Sequence, residues 1–184
     1  MKWFDEQDQQ KLLSLARQAI AAYAQTGQIP DADKIAGEAD PNLQKEFGAF
    51  VTLRKHETLY GCVGQMYGIG PLYKAVIKNA VSSYAFDHRF EPLSVAELQD
   101  TTIEISVIGP LETVEGPHQI VCGEHGILLE KDGARAVFLP QVAQEYGWTL
   151  EQMLERLCDK AGLPMGAWKE GADLQVFRAQ IFSE

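Results

Sequence analysis

Nowhere in these 184 residues does an apolar run approach the roughly 20 residues that a membrane-crossing helix needs. Basic charge is scarce as well: 16 Lys and Arg stand against 26 Asp and Glu, for a net charge of −10. Proteins that displace phosphate counterions need clustered cations, so nucleic acid is disfavoured as a partner, and anionic membrane surfaces with it. The densest basic run is Arg54-Lys55-His56, and a local basic pocket stays compatible with one small anionic ligand. Cysteine is limited to Cys62, Cys122 and Cys158, an odd number with no Cys-x-x-Cys. That argues against a disulfide framework and for reduced thiols. Met1 to Gln10 is acidic and polar, without the basic flank and apolar stretch of a signal peptide, so cytoplasm is the expected location. The glycine spacings of the P-loop and of the dinucleotide fingerprint are missing, as are a Ser-His-Asp signature and a dense set of metal ligands. No cofactor is named by the sequence.

What remains is an ordinary globular composition, 46% hydrophobic and 23% charged, on a chain long enough for a substantial core. Residues 5–26 carry Leu12, Leu13, Leu15, Ala16, Ala19, Ile20 and Tyr23 at helical spacing, and Gly27 is a stop signal. Residues 28–45, with Pro30 and Pro41, read as a loop. Gly48 to Leu53 and Leu59 to Val63 are β-prone runs around the polar Arg54 to Thr58, which predicts a hairpin. Pro71 opens a helix whose inner side holds Leu72, Ala75, Val76, Asn79, Ala80 and Ser83, and Asp87 to Pro92 ends it. Ser94 with Glu97 is a small capping-box signature. Thr102 to Val107 alternates as a half-buried strand does. Ile127 to Leu129 and Ala134 to Leu139 flank the turn signal Asp132-Gly133. Pro140 starts a short helix, Thr149 with Gln152 caps another that ends at Gly162, and Leu174 to Phe182 reads as a final strand. Helices alternate with hairpins and no strand–helix–strand unit repeats. The fold class is therefore α+β, a mostly antiparallel sheet with flanking helices.

One stretch stands out chemically. In Leu59-Tyr60-Gly61-Cys62-Val63-Gly64 a cysteine lies between two glycines, shortly before a helix start. A thiolate is a nucleophile, favoured near cations and helix N-termini. The plainer reading is a packed thiol in a strand whose glycines serve a turn. His125 precedes Gly126 and a strand, where an imidazole can act as a base or simply hold a surface turn. Cys122 and His125 have the spacing of half a zinc site, but no second pair completes it. Asp87 and Arg89 bracket His88 at a helix end, and either tie down that turn or grip a ligand carboxylate or phosphate. Glu104 and Ser106 share the polar face of an otherwise apolar strand.

The hexapeptide at 59–64 resembles the hallmark Leu-Arg-Gly-Cys-Ile-Gly of the AMMECR domain family. Further blocks match in the family's order: Gly48 to Leu53, Asp87 to Leu93, Ile103 to Val107, His125-Gly126-Ile127, Phe138 to Val142 and Lys160 to Pro164. The chain departs from the hallmark at Tyr60, where the family has Arg, and at Val63, where it has Ile. The resemblance covers nearly the whole chain and implies one AMMECR-like domain over 1–184, with two lobes of unequal size and a cleft near the cysteine. The AmmeMemoRadiSam branch of the family implies two partners, a Memo-like protein related to extradiol dioxygenases and a radical S-adenosylmethionine protein. It does not supply a reaction.

Two functional classes follow. One is an enzyme or small-ligand site centred on Cys62, with His125 as base or proton carrier and Glu104 as a second acid–base group. In it Arg89 anchors an anion, Asp87 orients its neighbours, Gly61 and Gly64 admit the ligand, and Ser106 contacts it. The other is a non-catalytic module that binds the Memo-like or radical partner.

Overall fold

A computed structural model describes residues 2–38, 40–56, 58–91 and 93–184. Among these, five α-helices and eight strands form two compact units of unequal size, Met1–Ile108 with Gln180–Glu184, and Gly109–Ala179. Each unit is built on a four-stranded sheet, with strands in the order β2-β1-β3-β8 in the first and β4-β7-β5-β6 in the second.

In the first unit, α1 (Glu6–Thr26) begins where Asp5 and Asp8 exchange reciprocal cap hydrogen bonds and ends at Gly27 in the left-handed conformation. Strands β1 (Gly48–Lys55) and β2 (Thr58–Gln65) form the expected hairpin. Its connection includes Glu57, outside the described residues. β3 (Thr102–Ile108) pairs antiparallel with the other side of β1, and β8 (Ala179–Ser183) lies beyond β3. Val51, Leu53, Ile103, Ile105 and Val107 occupy alternate positions on one face of this sheet. They are fully buried in one core with Leu12, Ala16 and Ile20 of α1 and with Leu72, Val76 and Ala80 of α3 (Leu72–Ala85). One stretch differs from expectation. The loop read over 28–45 contains α2 (Ala32–Ala36), capped by Asp31, and a 3-10 turn at Pro41–Gln44, capped by Asp40. The helix after Pro71 stops at Ala85, just ahead of the expected terminator that opens at Asp87. Pro92, part of the expected terminator, lies outside the described residues. Ser94 and Glu97 bond reciprocally as a capping box, over a 3-10 turn at Glu97–Asp100.

In the second unit, β5 (Gly126–Lys131) and β6 (Ala134–Phe138) join through Asp132 and Gly133, both at positive φ, as the turn signal requires. The apolar run 174–182 is two strands, β7 (Asp173–Phe177) in this sheet and β8 in the other, broken at Arg178. β4 (Glu112–Val114) was not foreseen. The short α4 (Pro140–Tyr146) is followed by α5 (Leu150–Lys160), which has a complete Thr149–Gln152 capping box. α5 buries Met153, Leu154, Leu157 and Cys158 against Ile127, Leu129 and Val176. No helix among the described residues is long and apolar enough to cross a membrane.

Candidate functional site

Strand register, not sequence proximity, assembles the site. Thr52 at the centre of β1 lies opposite Cys62 of β2 on one side and opposite Glu104 of β3 on the other. Residues directly opposed on antiparallel strands project from the same face, with β-carbons about 5 Å apart. Cys62, Thr52 and Glu104 therefore form one row across the sheet, on the face away from Val51 and Leu53. The adjacent row on that face is Gly64, Phe50 and Ser106. Thr52 and Ser106 are buried, while Cys62 and Glu104 are half-buried.

The two glycines beside Cys62 have packing reasons. A β-carbon on Gly61 would stand 2.0 Å from the main-chain oxygen of Ser83, because the C-terminal part of α3 presses on the strand there. A β-carbon on Gly64 would meet the Phe50 ring at 2.4 Å. The close approach that glycine permits is thus made to the protein's own helix and ring.

Two polar residues of α3, one turn apart, reach the strands. Asn79 donates to the Ala49 carbonyl at 3.0 Å. Ser83 Oγ donates to the Val51 carbonyl at 2.7 Å and accepts the Val63 N–H at 2.9 Å, so a hydroxyl bridges two residues paired across the ladder. Both side chains are buried, where an unpartnered polar group is costly. Asn79 ties β1 to α3, and Ser83 ties both β1 and β2 to it.

β2 is the edge of its sheet, and the segment after α3 covers it at Cys62. The Cys62 N–H donates to Asp87 Oδ2 at 2.8 Å, and the Cys62 carbonyl accepts from Arg89 Nη2 at 2.8 Å. Arg89 grips the Asp87 carboxylate with both Nε and Nη2, at 2.8 and 2.7 Å. Asp87 is 5% exposed and Arg89 62%. The Arg89 guanidinium, with the main-chain N–H groups of Cys62 and Arg89, holds the Asp87 carboxyl down at about 2 against burial, which opposes it. At the side chain, Thr52 Oγ1 donates to Cys62 Sγ at 3.4 Å. Main chain and thiol are both fixed.

Ser106 is the exception in this row pair. Its hydroxyl is buried, with the residue 1% exposed, and has no hydrogen-bond partner among the described residues. His125 belongs to the other unit. Its Nδ1 accepts the Val121 N–H at 3.1 Å, while the His125 main-chain N–H donates to the Val121 carbonyl at 2.9 Å. The neutral ring then carries its proton on Nε2, and its lone pair is spent on the turn. In the same turn the Cys122 thiol, exposed, donates to the Trp148 carbonyl at 3.7 Å. No group of three or more His, Cys, Asp or Glu among the described residues could hold a metal ion.

The structure thus brings Cys62, Asp87, Arg89, Glu104 and Ser106 into one unit, on or beside three adjoining strands. Sequence reading missed Thr52, which links the cysteine to the glutamate. It missed the bonding of Asn79 and Ser83 too, although helical spacing placed both on the inner side of α3.

Comparison with known proteins decides the family. The AMMECR1 family model matches residues 13–182. The chain belongs to the AMMECR1 family. Protein PF1979 of Pyrococcus furiosus is 39% identical over 184 residues, covering 94% of this chain and 86% of that protein. Protein Ta0236 of Thermoplasma acidophilum is 34% identical over 182 residues, covering 95% and 86%. The crystal structure of the uncharacterized protein PH0010 from Pyrococcus horikoshii superposes with a TM-score of 0.87 at 37% identity, over 94% of this chain and 89% of that one. In this chain Tyr60 precedes the glycine-flanked Cys62. Tyr60 is the extra residue where the β1–β2 register slips between Leu53 and Arg54.

Proposed function

We propose that this AMMECR1-family protein is an enzyme-like, small-ligand-binding protein whose reacting group is the Cys62 thiol. The observation that carries this reading is the row Cys62–Thr52–Glu104. It sets a thiol and a carboxylate on either side of one hydroxyl, on one face of a rigid sheet. A nucleophile needs a fixed position and a nearby proton carrier. Here the clamp from Asp87 and Arg89 provides the first, and Glu104 is the candidate for the second. The Arg89 Nη1 edge, uncommitted to Asp87, is the anchor for an anionic group. The unpartnered Ser106 hydroxyl, whose burial costs about 1–3 kcal/mol without a hydrogen bond, is a ligand contact. His125 is left in its turn, because its Nδ1 lone pair is engaged there. The family branch makes a Memo-like protein and a radical S-adenosylmethionine protein the partners to test.

A second reading has its own support. Asp87 and Arg89 satisfy the open edge of β2 as another strand would, which a non-catalytic partner-binding module needs equally. Thiol labelling with iodoacetamide, followed residue by residue by mass spectrometry, separates the two. A reacting Cys62 is modified ahead of the more exposed Cys122, and Thr52→Val and Glu104→Gln each slow it. Cys62 modified behind Cys122, indifferent to both substitutions, overturns the enzyme-like reading and leaves the module.

A further inference from the structure

In the second unit, the outer side of α5 carries a groove of about 580 Å³. Trp148 lines it, along with Met165 from the following loop, Arg156, and three carboxylates, Glu151, Glu155 and Asp159. The carboxylates recur every four residues, so they stack along one helical stripe about 12 Å long. Met165 is 81% exposed, and Tyr146, stacked on Trp148 at 4.7 Å, is 66% exposed. Single exposed apolar residues are routine, but Met and Trp beside one another on a charged groove are typical of adaptable protein-binding surfaces.

The charge in this groove is built in. Glu155 accepts the Gly166 N–H at 2.7 Å and the Trp168 Nε1–H at 2.9 Å, one on each carboxylate oxygen. Both donors are neutral, and Glu155 makes no ion pair among the described residues. These two hydrogen bonds, foremost that from Trp168, lower the Glu155 carboxyl below its usual range against partial burial, with a smaller contribution from the Lys169 charge. Glu151 reaches Lys169 at 3.6 Å with both side chains more than half exposed, a loose pair that a competing cation displaces at little cost. Counting Arg156, the lining carries two net negative charges.

We infer that this groove is a docking surface for a basic amphipathic helix of a partner protein, with Lys or Arg at i and i+4 or i+8 facing the carboxylate stripe. In that arrangement an apolar side chain of the partner settles between Trp148 and Met165. Charge complementarity selects a basic occupant, and the repeat of the carboxylates selects a helix over a single small cation. The proposal does not depend on Cys62.

The test uses the full chain and a synthetic 14-residue amphipathic peptide of Lys and Leu, blocked at both ends, with a Glu-for-Lys peptide as control. Calorimetry gives the affinity and NMR shift mapping the location. The Lys peptide is expected to bind with shifts confined to residues 146–169, and the Glu peptide not to bind. The E151K/D159K variant, whose changes are both at exposed positions, should lose at least tenfold in affinity. Met165→Asp should weaken binding several-fold, with helix content by circular dichroism unchanged in both variants. Three outcomes overturn the proposal: no binding of the Lys peptide at millimolar concentration, equal affinity for E151K/D159K, or shifts centred elsewhere. Binding of spermine at the same site as tightly as the peptide also overturns it, since a small polycation would then be the occupant.

Discussion

Asp87 accepts the main-chain N–H of Cys62 at 2.8 Å with a carboxylate that is only 5% exposed. The bond joins the segment after α3 to the edge strand at Cys62. It also makes this part of the fold acid-sensitive in a defined window. The folded-state value of Asp87, about 2, lies below the ordinary 3.8. Its contribution is therefore fully present above pH 4 and is lost as the pH falls from about 4 towards 2. Asp87→Asn should destabilise the protein by roughly 2 kcal/mol at pH 7. The gap between wild type and variant should narrow steadily below pH 4. Urea unfolding of both proteins over pH 2–7 checks this, and a gap that does not change with pH contradicts it.

A second expectation concerns the bridge made by Ser83. Ser83→Ala leaves both the Val63 N–H and the Val51 carbonyl without the hydroxyl, in a fully buried position. Unmade buried hydrogen bonds cost about 1–3 kcal/mol each, so a loss of about 3 kcal/mol is expected. Asn79→Ala removes one such bond, to the Ala49 carbonyl, and should cost less. Chemical denaturation of the two variants gives the order directly.

The contrast between these residues and Cys62 shows what the sequence carries and what it hides. Amphipathic spacing and stop signals located α1, α3 and α5 within a residue or two, because burial of one face is a local pattern. Asp132-Gly133 marked its turn for the same local reason. The break at Arg178 is invisible in this way. The apolar character of 174–182 runs through it without Gly or Pro, so two strands of different sheets read as one. The five-residue α2 is hidden by the Pro and Asp residues around it, whose local signals favour loops, although Ala32 and Ala36 themselves favour helix. The site is a matter of register. Alternation along β3 puts Glu104 on the polar side of its strand, but its place in the Cys62 row depends on Thr52 pairing with both. No periodicity within a single strand reports that.

The glycines allow a sharper comparison. At Gly61 an added β-carbon meets the Ser83 carbonyl at 2.0 Å, and both partners are main chain, so neither can swing aside. Gly61→Ala should cost about 3 kcal/mol or more, at the top of the range for overpacking. Gly27 is the opposite case: its φ is +67°, but nothing lies within 4 Å of the would-be β-carbon. Gly27→Ala should cost about 1 kcal/mol, from the left-handed backbone alone. Thermal unfolding of the pair separates steric from conformational need, and equal shifts in Tm would contradict the packing explanation for Gly61.

The three thiols provide a graded readout of the fold itself. Cys158 is fully buried in the core of the second unit. Burial pushes its thiol up from the usual value, more strongly than the Trp168 and Ala167 N–H groups lower it. A protonated, inaccessible thiol reacts only when its surroundings open. Cys158 should thus stay unmodified by iodoacetamide at pH 8 in native protein, over times in which exposed Cys122 is fully alkylated. Once urea unfolds the second unit, its modification should rise to the rate of an ordinary cysteine. Because Cys158 reports on the second unit alone, comparing its modification with the helical circular dichroism signal against urea concentration also shows whether the two units unfold together. Coincident midpoints mean one cooperative transition; a Cys158 transition displaced from the loss of helix signal means that each core melts on its own. Native-state alkylation of Cys158 at a rate close to that of Cys122 would contradict the packing of α5 described above.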